Sequence, residues 1–284
     1  MTPLGRVLIT GGSGFLGHGL VQRLLDERLA DQVCVYSRNE WRQFEMRQSF
    51  GNEDRLRFFI GDVRDAERLK RATRGVHTVI HAAALKRVEV GEFNADEMAK
   101  TNVGGTMNAL LAAEECGVHR FVLVSSDKAF QPVNAYGASK FMAERIVLGG
   151  HETRGGRLPK VAACRYGNVA GSTGSVIPIW RWCKSTGGMA RITSPEATRF
   201  WMTRDEAAQL VLKTALTMRG GELVIPDLPA FRVGDLAEAI GLEFDVVGIG
   251  SSEKLHESMD EARCSADARR MTVSELREAL KHVV

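Results

Sequence analysis

A tyrosine, a lysine and a serine near the middle of the chain have the types and spacing of a proton-transfer site. Tyr136 and Lys140 are four residues apart, and residues 125–128 (SSDK) close the apolar run before them. Residues at i and i+4 share one face of a helix, so Lys140 can hold positive charge beside the tyrosine hydroxyl. That charge would lower the phenol pKa toward a value useful for a base, and Ser126 could hydrogen-bond the same substrate oxygen. For Tyr136 and Lys140 alone, a surface pair is the alternative.

The acid and the amine that follow Ser126 extend this chemistry beyond a simple alcohol oxidation. Asp127 and Lys128 are adjacent at the end of the same apolar run. Oxidation of an alcohol needs neither group. Elimination of water needs a base to remove an acidified C–H and an acid to protonate the leaving hydroxyl. The pair therefore favours a dehydration, and an ion pair that only stabilises a turn is the alternative.

A glycine-rich loop near the start of the chain has the pattern of a dinucleotide site. Three glycines at three-residue spacing follow the apolar run at 6–10 and precede an amphipathic stretch. The missing side chains permit a tight turn, close approach of a pyrophosphate and packing of a helix on a strand, and the helix N-terminus supplies free N–H groups. We expect a dinucleotide here, with a structural turn as the alternative, and an oxidised nicotinamide would add positive charge beside the tyrosine. The loop residues expected to bind it are Gly11, Ser13, Gly14, Phe15, Leu16 and Gly17.

The end of the second apolar run indicates which cofactor is bound. NAD sites usually place an acid there for the ribose 2′-hydroxyl, whereas a 2′-phosphate favours an arginine. This chain has Ser37, Arg38 and Asn39 at that point and no acid. A guanidinium can bind a phosphate through two hydrogen bonds, so the pattern predicts NADP, with Arg38 as an exposed helix-capping residue the alternative. Residues after the third and fourth runs are expected to line the cofactor, or to be plain loop residues: Asp62, Val63, Ala82, Ala83 and Ala84.

The elements that must position these residues alternate regularly along the first part of the chain. Apolar runs typical of strands occur at 6–10, 32–37, 56–62, 76–83, 120–126 and 160–169. Helical periodicity occurs at 15–29, 65–73, 98–116 and 135–148. This order predicts an α/β fold, a Rossmann-like doubly wound parallel sheet, with an NADP-binding domain at 1–170 that carries the catalytic residues. Shorter strands and frequent Gly and Pro predict a smaller C-terminal substrate-binding lobe at 171–284, with returns to the main sheet.

Composition disfavours several other classes of protein. The 284 residues are 44% hydrophobic and carry a formal net charge of +3 with acids and bases interspersed, which does not indicate nucleic-acid binding. The five cysteines lie far apart without metal-ligand spacing, so we expect reduced thiols and no metal site. Neither a signal peptide nor an apolar run of about 18–20 residues is evident. We therefore expect a cytoplasmic protein that does not bind a membrane.

Taken together, these motifs resemble the inverting UDP-N-acetylglucosamine 4,6-dehydratases of the extended short-chain dehydrogenase/reductase superfamily. The resemblance runs from about residue 5 to residue 257, most specifically in SSDKAFQPVNAYGASK (125–140) and CRYGNVAGSTGSVIP (164–178). It also includes VYSRNEWRQFEM, RFFIGDVRD, HAAALKRVEVGEFN, KTNVGGT, TRFWMT and EKLHE. Tyr136 favours the inverting enzymes, because the related membrane-bound, retaining enzymes replace this tyrosine.

The resemblance implies a complete catalytic cycle. Tyr136, assisted by Ser126 and Lys140, takes the C4 hydroxyl proton while hydride passes to NADP+. Lys128 then removes the C5 proton, and Asp127 protonates the departing C6 hydroxyl. Hydride returns to C6 and C5 is reprotonated on the opposite face, so the net reaction is that of a lyase.

The same resemblance implies binding residues and an assembly. Asn102 would lie beside the nicotinamide and the catalytic lysine. The residues expected to bind UDP-N-acetylglucosamine are Lys86, Asn168, Val176, Arg199, Glu253, Lys254 and Glu257. A homo-oligomer, either a dimer or a hexamer, is expected. Family chains usually continue for several tens of residues after the EKLHE motif, whereas 27 follow it here. The stretch at 272–282 resembles the family's closing helix, so the resemblance implies that an internal loop is missing, one that would cover the UDP or support assembly.

Two other functions fit part of the pattern. A UDP-sugar 4-epimerase on the same fold would keep Tyr136 and Lys140 but has no use for an acid and a base at 127 and 128. A non-catalytic NADP-binding protein would have no reason to keep Ser126, Tyr136 and Lys140. Loss of one water from a UDP-sugar distinguishes a dehydratase from both.

Overall fold

Seven parallel strands form the main sheet of the protein. The computed structural model describes residues 2–51, 53–153 and 159–283. The strands are β1 (Arg6–Thr10), β2 (Gln32–Ser37), β3 (Leu56–Ile60), β4 (Thr78–His81), β5 (Arg120–Val124), β6 (Lys160–Cys164), β7 (Asn168–Val169), β8 (Ala190–Ile192), β9 (Thr198–Met202), β10 (Glu222–Val224), β11 (Ala230–Arg232) and β12 (Phe244–Val246). The main sheet has the order β10-β6-β5-β4-β1-β2-β3, and every neighbouring pair is parallel. The strand order reverses at β1, which places a crevice at the carboxyl ends of β1 and β4.

Helices connect these strands and cover both faces of the sheet. They are α1 (Phe15–Asp26), α2 (Glu40–Ser49), α3 (Ala66–Thr73), α4 (Val88–Phe93), α5 (Ala95–Met98), α6 (Gly105–Glu115), α7 (Ala135–Thr153), α8 (Val176–Ser185), α9 (Arg204–Thr217), α10 (Val233–Ile240) and α11 (Val273–Lys281). A π-helical turn at Ala99–Gly104 separates α5 from α6, and a 3₁₀ turn at Asp127–Ala129 follows β5. Within the described ranges, the helices are too short or too polar to cross a bilayer.

Two apolar cores lie on the two faces of the main sheet. Val7 and Ile9 of β1 point into one core, which α1 and α9 close. Leu8, between them in sequence, points into the other core, which α3, α6 and α7 close. Because both faces of the strands are buried, their sequences are continuous apolar runs instead of alternating ones.

The predicted doubly wound parallel sheet is confirmed, although several element bounds differ. The run at 160–169 contains two strands, because β6 belongs to the main sheet and β7 pairs with β9 in a second one. The predicted helix at 98–116 is interrupted by the π-helical turn. Sequence periodicity missed α2, since its ten residues are mostly polar and only Gln43 and Met46 are buried.

The chain beyond residue 170 builds a third core and also returns to the main sheet. Strands β11, β9 and β7 form one small sheet and β12 pairs with β8, while α8, α10 and α11 bury apolar residues against them. Helix α9 and strand β10 go back to the main sheet, where β10 pairs with β6. The closing helix that the sequence indicated at 272–282 is α11, capped by Thr272 and Glu275 in a reciprocal capping box.

Candidate active site

The glycine loop after β1 has the backbone geometry of a phosphate cradle. Gly11 has a φ of +68°, a left-handed conformation that favours glycine, and its N–H donates to the Tyr36 carbonyl at 2.8 Å. A Cβ on Gly17 would overlap the carbonyl oxygen of Gly12, so the close approach of α1 to the loop requires glycine there. Helix α1 begins at Phe15 with Gly14 as its N-cap, and no side chain of the described residues caps it. Its first N–H groups therefore stay available for an anion.

An exposed arginine and a capped helix follow β2. Arg38 has 55% of its side chain exposed and lies 3.7 Å from the Asp62 carboxylate. The residue that caps α2 is Asn39, whose side chain accepts a hydrogen bond from the Arg42 N–H at 2.9 Å. Ser37 accepts a hydrogen bond from the Ser13 hydroxyl at 2.8 Å, which ties the glycine loop to the end of β2. The cap of α2 is thus Asn39 and not Arg38, whose guanidinium is exposed beside the Asp62 carboxylate.

The remaining expected cofactor residues line the ends of β3 and β4. Val63 is buried against Gly105 at the start of α6, while Ala82, Ala83 and Ala84 are half-buried beside the glycine loop. A Cβ on Gly11 would lie 2.9 Å from the Ala83 backbone, so the two loops are in direct contact.

Asn102 fastens the loop after β4 to helix α7. Its side-chain oxygen accepts from the Leu85 N–H at 2.8 Å, and its amide donates to the Leu85 carbonyl at 2.8 Å and to the Ser139 hydroxyl at 2.9 Å. The π-helical turn, a local feature frequent at functional sites, places this buried side chain there. Asn102 lies between the cofactor loop and the helix that carries Tyr136 and Lys140.

A buried histidine at the end of β4 contributes to the site region, whereas the sequence indicated only that this residue lies in a strand. His81 lies between two hydroxyls, 2.8 Å from Thr10 Oγ1 and 3.2 Å from Thr106 Oγ1. Burial and the nearby Lys140 charge lower the pKa of His81 to about 3. The ring is therefore neutral near pH 7 and links β1, β4 and α6 by hydrogen bonds.

The predicted acid–base pair lies just beyond β5, next to the serine. Ser126 donates to Asp127 Oδ1 at 2.8 Å, and the backbone N–H of Lys128 donates to the same oxygen at 2.9 Å. The Lys128 amine is 3.3 Å from that oxygen. Asp127 is only 1% exposed, and its second oxygen, Oδ2, has no partner among the described residues. Buried carboxylate oxygens without a partner are uncommon in folded proteins.

Tyr136 lies in the same cluster, but its electrostatic surroundings differ from those predicted. Burial raises the pKa of Tyr136, and the hydrogen bond from Ser126 and the Lys128 charge only partly oppose that rise. Lys140, expected to supply the charge, instead donates to the Val124 carbonyl at 2.6 Å, and burial lowers the pKa of Lys140 to about 8. In this structure the ammonium acting on the tyrosine is Lys128, and burial outweighs its effect on the phenol pKa.

A buried ion pair that was not predicted from the sequence lies next to the cluster of Ser126, Asp127, Lys128 and Tyr136. Glu144 on α7 pairs with Arg165 after β6, and both side chains are less than one-tenth exposed. Glu144 also accepts from the Ser125 hydroxyl, and Arg165 donates to the Met259 carbonyl at 2.5 Å. The pair connects the end of β5 to the segment at 253–265, and only the fold brings these residues together.

The residues expected to bind the substrate divide into two groups. Glu257 and Lys254 reach the catalytic cluster: the Glu257 carboxylate is 3.2 Å from the Lys128 amine, and Lys254 donates to the Phe130 carbonyl at 2.7 Å. Arg199 donates to the Leu255 carbonyl and is half-buried. The others lie at accessible or partly accessible positions: Lys86 and Glu253 in loops, Asn168 in β7 and Val176 at the start of α8.

A parallel sheet with a glycine cradle after β1, and a serine, a tyrosine and a lysine after β5, defines an extended short-chain dehydrogenase/reductase. Residues 7–275 match the family of polysaccharide biosynthesis proteins, and the chain belongs to that family. The UDP-N-acetylglucosamine 4,6-dehydratase (inverting) of Campylobacter jejuni is 41% identical over 256 residues, which are 89% of this chain and 76% of that protein. The UDP-glucose 4-epimerase of Rickettsia rickettsii is 35% identical over 262 residues, with the same two shares.

A solved structure has the same fold over almost its whole length. The dTDP-glucose 4,6-dehydratase DesIV of Streptomyces venezuelae, determined with NAD bound, has a TM-score of 0.85 and 25% identity to this chain. The match covers 97% of this chain and 96% of that one.

Proposed function

We propose that this protein is a UDP-N-acetylglucosamine 4,6-dehydratase that inverts C5. The observation that carries the proposal is the contact of Asp127 with both Lys128 and Ser126 in a buried cluster that also contains Tyr136. This cluster holds a tyrosine for oxidation together with an acid and an amine for elimination. The likeness to the Campylobacter dehydratase supports the same assignment of the reaction and of the sugar.

NADP is the proposed cofactor. The glycine cradle fits a pyrophosphate, because Gly11 and Gly17 occupy positions that a Cβ would fill, and the exposed guanidinium of Arg38 suits a 2′-phosphate. When bound there, the nicotinamide would accept a hydride from C4 of the sugar and later return it to C6. The two hydrogen bonds between the Asn102 side chain and the Leu85 backbone would keep the loop after β4 in place beside the nicotinamide.

The first proton transfer is proposed for Tyr136. Its hydroxyl would take the proton of the C4 hydroxyl, with Ser126 hydrogen-bonded to the same oxygen. Because burial raises the pKa of Tyr136, the phenolate needs nearby positive charge. Lys128 supplies some of it in this structure, and Lys140 is one helical turn away on α7.

The elimination can be written with balanced protons from the observed contacts. Lys128 rests as an ammonium and Asp127 as its carboxylate partner, so the ammonium first transfers a proton to Asp127 along their 3.3 Å contact. The neutral amine then takes the C5 proton. Asp127 gives its new proton to the C6 hydroxyl, the C6–O bond breaks and water leaves. Both side chains thereby return to their resting charges.

Binding of the nucleotide is proposed for cationic and polar side chains around this cluster. Arg199 and Lys254 would face the diphosphate, since guanidinium and ammonium groups neutralise phosphate charge. Lys86 would lie at the sugar, and Asn168, Val176 and Glu253 would contact the uridine or the sugar. A cytoplasmic location, a homo-oligomeric state and a boundary between two domains near residue 170 stay predictions.

A UDP-sugar 4-epimerase is the second candidate, favoured by the likeness to the Rickettsia protein. An epimerase would use Tyr136 and Ser126 in the same way. Epimerisation includes no step that uses the Asp127 carboxylate, whose Oδ2 is buried without a partner beside the Lys128 ammonium.

Mass spectrometry of the product tests the proposal. Purified protein is incubated with NADP+ and UDP-N-acetylglucosamine, and in parallel with UDP-glucose. We expect a product lighter than UDP-N-acetylglucosamine by one water, with no net consumption of cofactor. A product of unchanged mass that separates from the substrate by chromatography would support the epimerase instead.

A further inference from the structure

Lys128 is held by two carboxylates, and the second of these comes from a distant part of the chain. Its amine lies 3.3 Å from Asp127 Oδ1 and 3.2 Å from Glu257 Oε1. The Glu257 side chain is only 4% exposed. Moving this carboxylate away from the amine would leave a buried charge without its ion pair.

The backbone around Glu257 is fastened on both sides. Its N–H donates to the Ser265 hydroxyl at 2.9 Å, and the Ser265 N–H donates to its carbonyl at 2.7 Å. The preceding residue, His256, is joined to Thr198 of β9 by a backbone bridge and by a side-chain hydrogen bond of 2.8 Å. Two residues further on, Arg165 binds the Met259 carbonyl. The segment therefore delivers the carboxylate at a fixed position.

Among the described residues, two carboxylates, a guanidinium and a phenol act on the charge of the Lys128 amine. Burial disfavours its charge, but Asp127 and Glu257 outweigh burial and raise the pKa of Lys128 well above its ordinary value. Arg199 acts in the opposite direction, while the Tyr136 phenol acts with the carboxylates. Two carboxylates at ion-pair distance from the same amine oppose loss of the ammonium proton to solvent.

We propose that Glu257 is a positioning residue for water elimination: it holds the Lys128 side chain against Asp127 and keeps it an ammonium until its proton moves to Asp127. The kinetic part of this inference rests on the proposed dehydratase function. This role differs from the UDP binding that the resemblance implies for Glu257. Its Oε1 is engaged by Lys128, and its Oε2, 4.0 Å from the Lys254 amine, has no hydrogen-bond partner among the described residues.

The protonation state of Lys128 can be tested without substrate. The chain has ten lysines, so protein labelled with ¹³C at lysine Cε gives a resolvable spectrum, and Lys128→Met assigns the signal of interest. In the wild-type protein we expect this signal to stay at the ammonium position when exposed lysines, with a pKa of about 10.4, are half titrated. In Glu257→Gln it should move to the neutral position at lower pH than in the wild type. Glu261→Gln, which changes an exposed acid of the same segment, should match the wild type.

Two results of the titration would overturn the inference. One is a Lys128 signal in the wild-type protein that titrates together with the exposed lysines. This result does not depend on the folding of Glu257→Gln. The other is an identical Lys128 titration in folded Glu257→Gln and in the wild type.

Kinetics separate positioning from nucleotide binding. For Glu257→Gln we expect kcat for water loss to fall tenfold or more, because displacing a catalytic group by about 1 Å can cost about 100-fold, with KM for UDP-N-acetylglucosamine within twofold of wild type. An unchanged kcat, or a KM raised tenfold at unchanged kcat, would contradict the positioning role. If the wild type converts no UDP-sugar but the titration behaves as expected, the proposed function fails and the effect of Glu257 on Lys128 stands.

Discussion

Replacing Asp127 with asparagine removes one proton donor and leaves the surrounding contacts in place. Oδ1 of Asp127 accepts from the Ser126 hydroxyl, the Lys128 N–H and the Lys128 amine, at 2.8, 2.9 and 3.3 Å. An asparagine oxygen can accept all three, and Glu257 still neutralises the lysine at 3.2 Å. The variant should therefore fold, but its amide can neither receive the Lys128 proton nor pass one to the C6 hydroxyl.

The expected loss in the water-elimination step is about 100-fold, the lower end of what a positioned acid contributes. This corresponds to about 2.7 kcal/mol in activation free energy. Oxidation at C4 should be affected less, and in a predictable direction. The Asp127 charge raises the pKa of Tyr136, so its removal lowers that pKa, and the acid limb of the oxidation step should move to lower pH.

Single-turnover experiments resolve the two steps. Absorbance of the reduced nicotinamide follows C4 oxidation, and mass spectrometry of quenched samples follows loss of water. In Asp127→Asn the reduced cofactor should accumulate because elimination has become slow. Asp245→Asn, at an exposed position of β12, serves as the matched control. Water loss at close to the wild-type rate in Asp127→Asn would refute the role given to the carboxylate.

Three further outcomes are expected. Arg38→Ala should weaken NADP binding about 10- to 100-fold, which is the usual contribution of a charged hydrogen bond, and should leave NAD binding nearly unchanged. Equal losses of NADP and NAD affinity, measured by fluorescence titration, would refute the 2′-phosphate contact. Gly17→Ala should abolish binding of either dinucleotide or prevent folding, because the new Cβ overlaps the Gly12 carbonyl; calorimetric binding like that of the wild type would be the contrary result. The pKa of His81 falls to about 3 in the folded state from about 6.5 in the unfolded state. The free energy of unfolding should therefore decrease as pH falls from about 6.5 toward 3, by about 1.4 kcal/mol per pH unit within that window. Urea titrations of His81→Asn should show a shallower decrease with pH, and an equal decrease in the variant and the wild type would contradict the pKa shift.

Local signals predicted the sheet and the parts of the site that lie within one stretch of sequence. The glycine spacing, the apolar runs and the i, i+4 pair of Tyr136 and Lys140 are properties of neighbouring residues. The structure has the glycine loop after β1 and has Tyr136 and Lys140 in the first turns of α7. Helix α2 was missed because its face toward the core is small, and its N-cap, Asn39, was interpreted as a cofactor residue.

Long-range pairings could not be obtained from the sequence. The contact of Glu257 with Lys128 depends on how the segment at 253–265 is seated by Thr198 and Arg165, and no spacing encodes it. For the same reason, the sequence assigned the side-chain charge near Tyr136 to Lys140 and not to Lys128. Periodicity places Lys140 on the correct helix face but does not show that its amine is engaged by the Val124 carbonyl.

Incubation with UDP-N-acetylglucosamine and NADP+ in deuterated water, followed by NMR of the product, tests the central claim most directly. A transient C4 ketone with a proton exchange at C5 predicts a 4-keto, 6-deoxy sugar that carries deuterium at C5 in the inverted configuration. A product with hydrogen retained at C5 and the C6 hydroxyl intact would contradict the account.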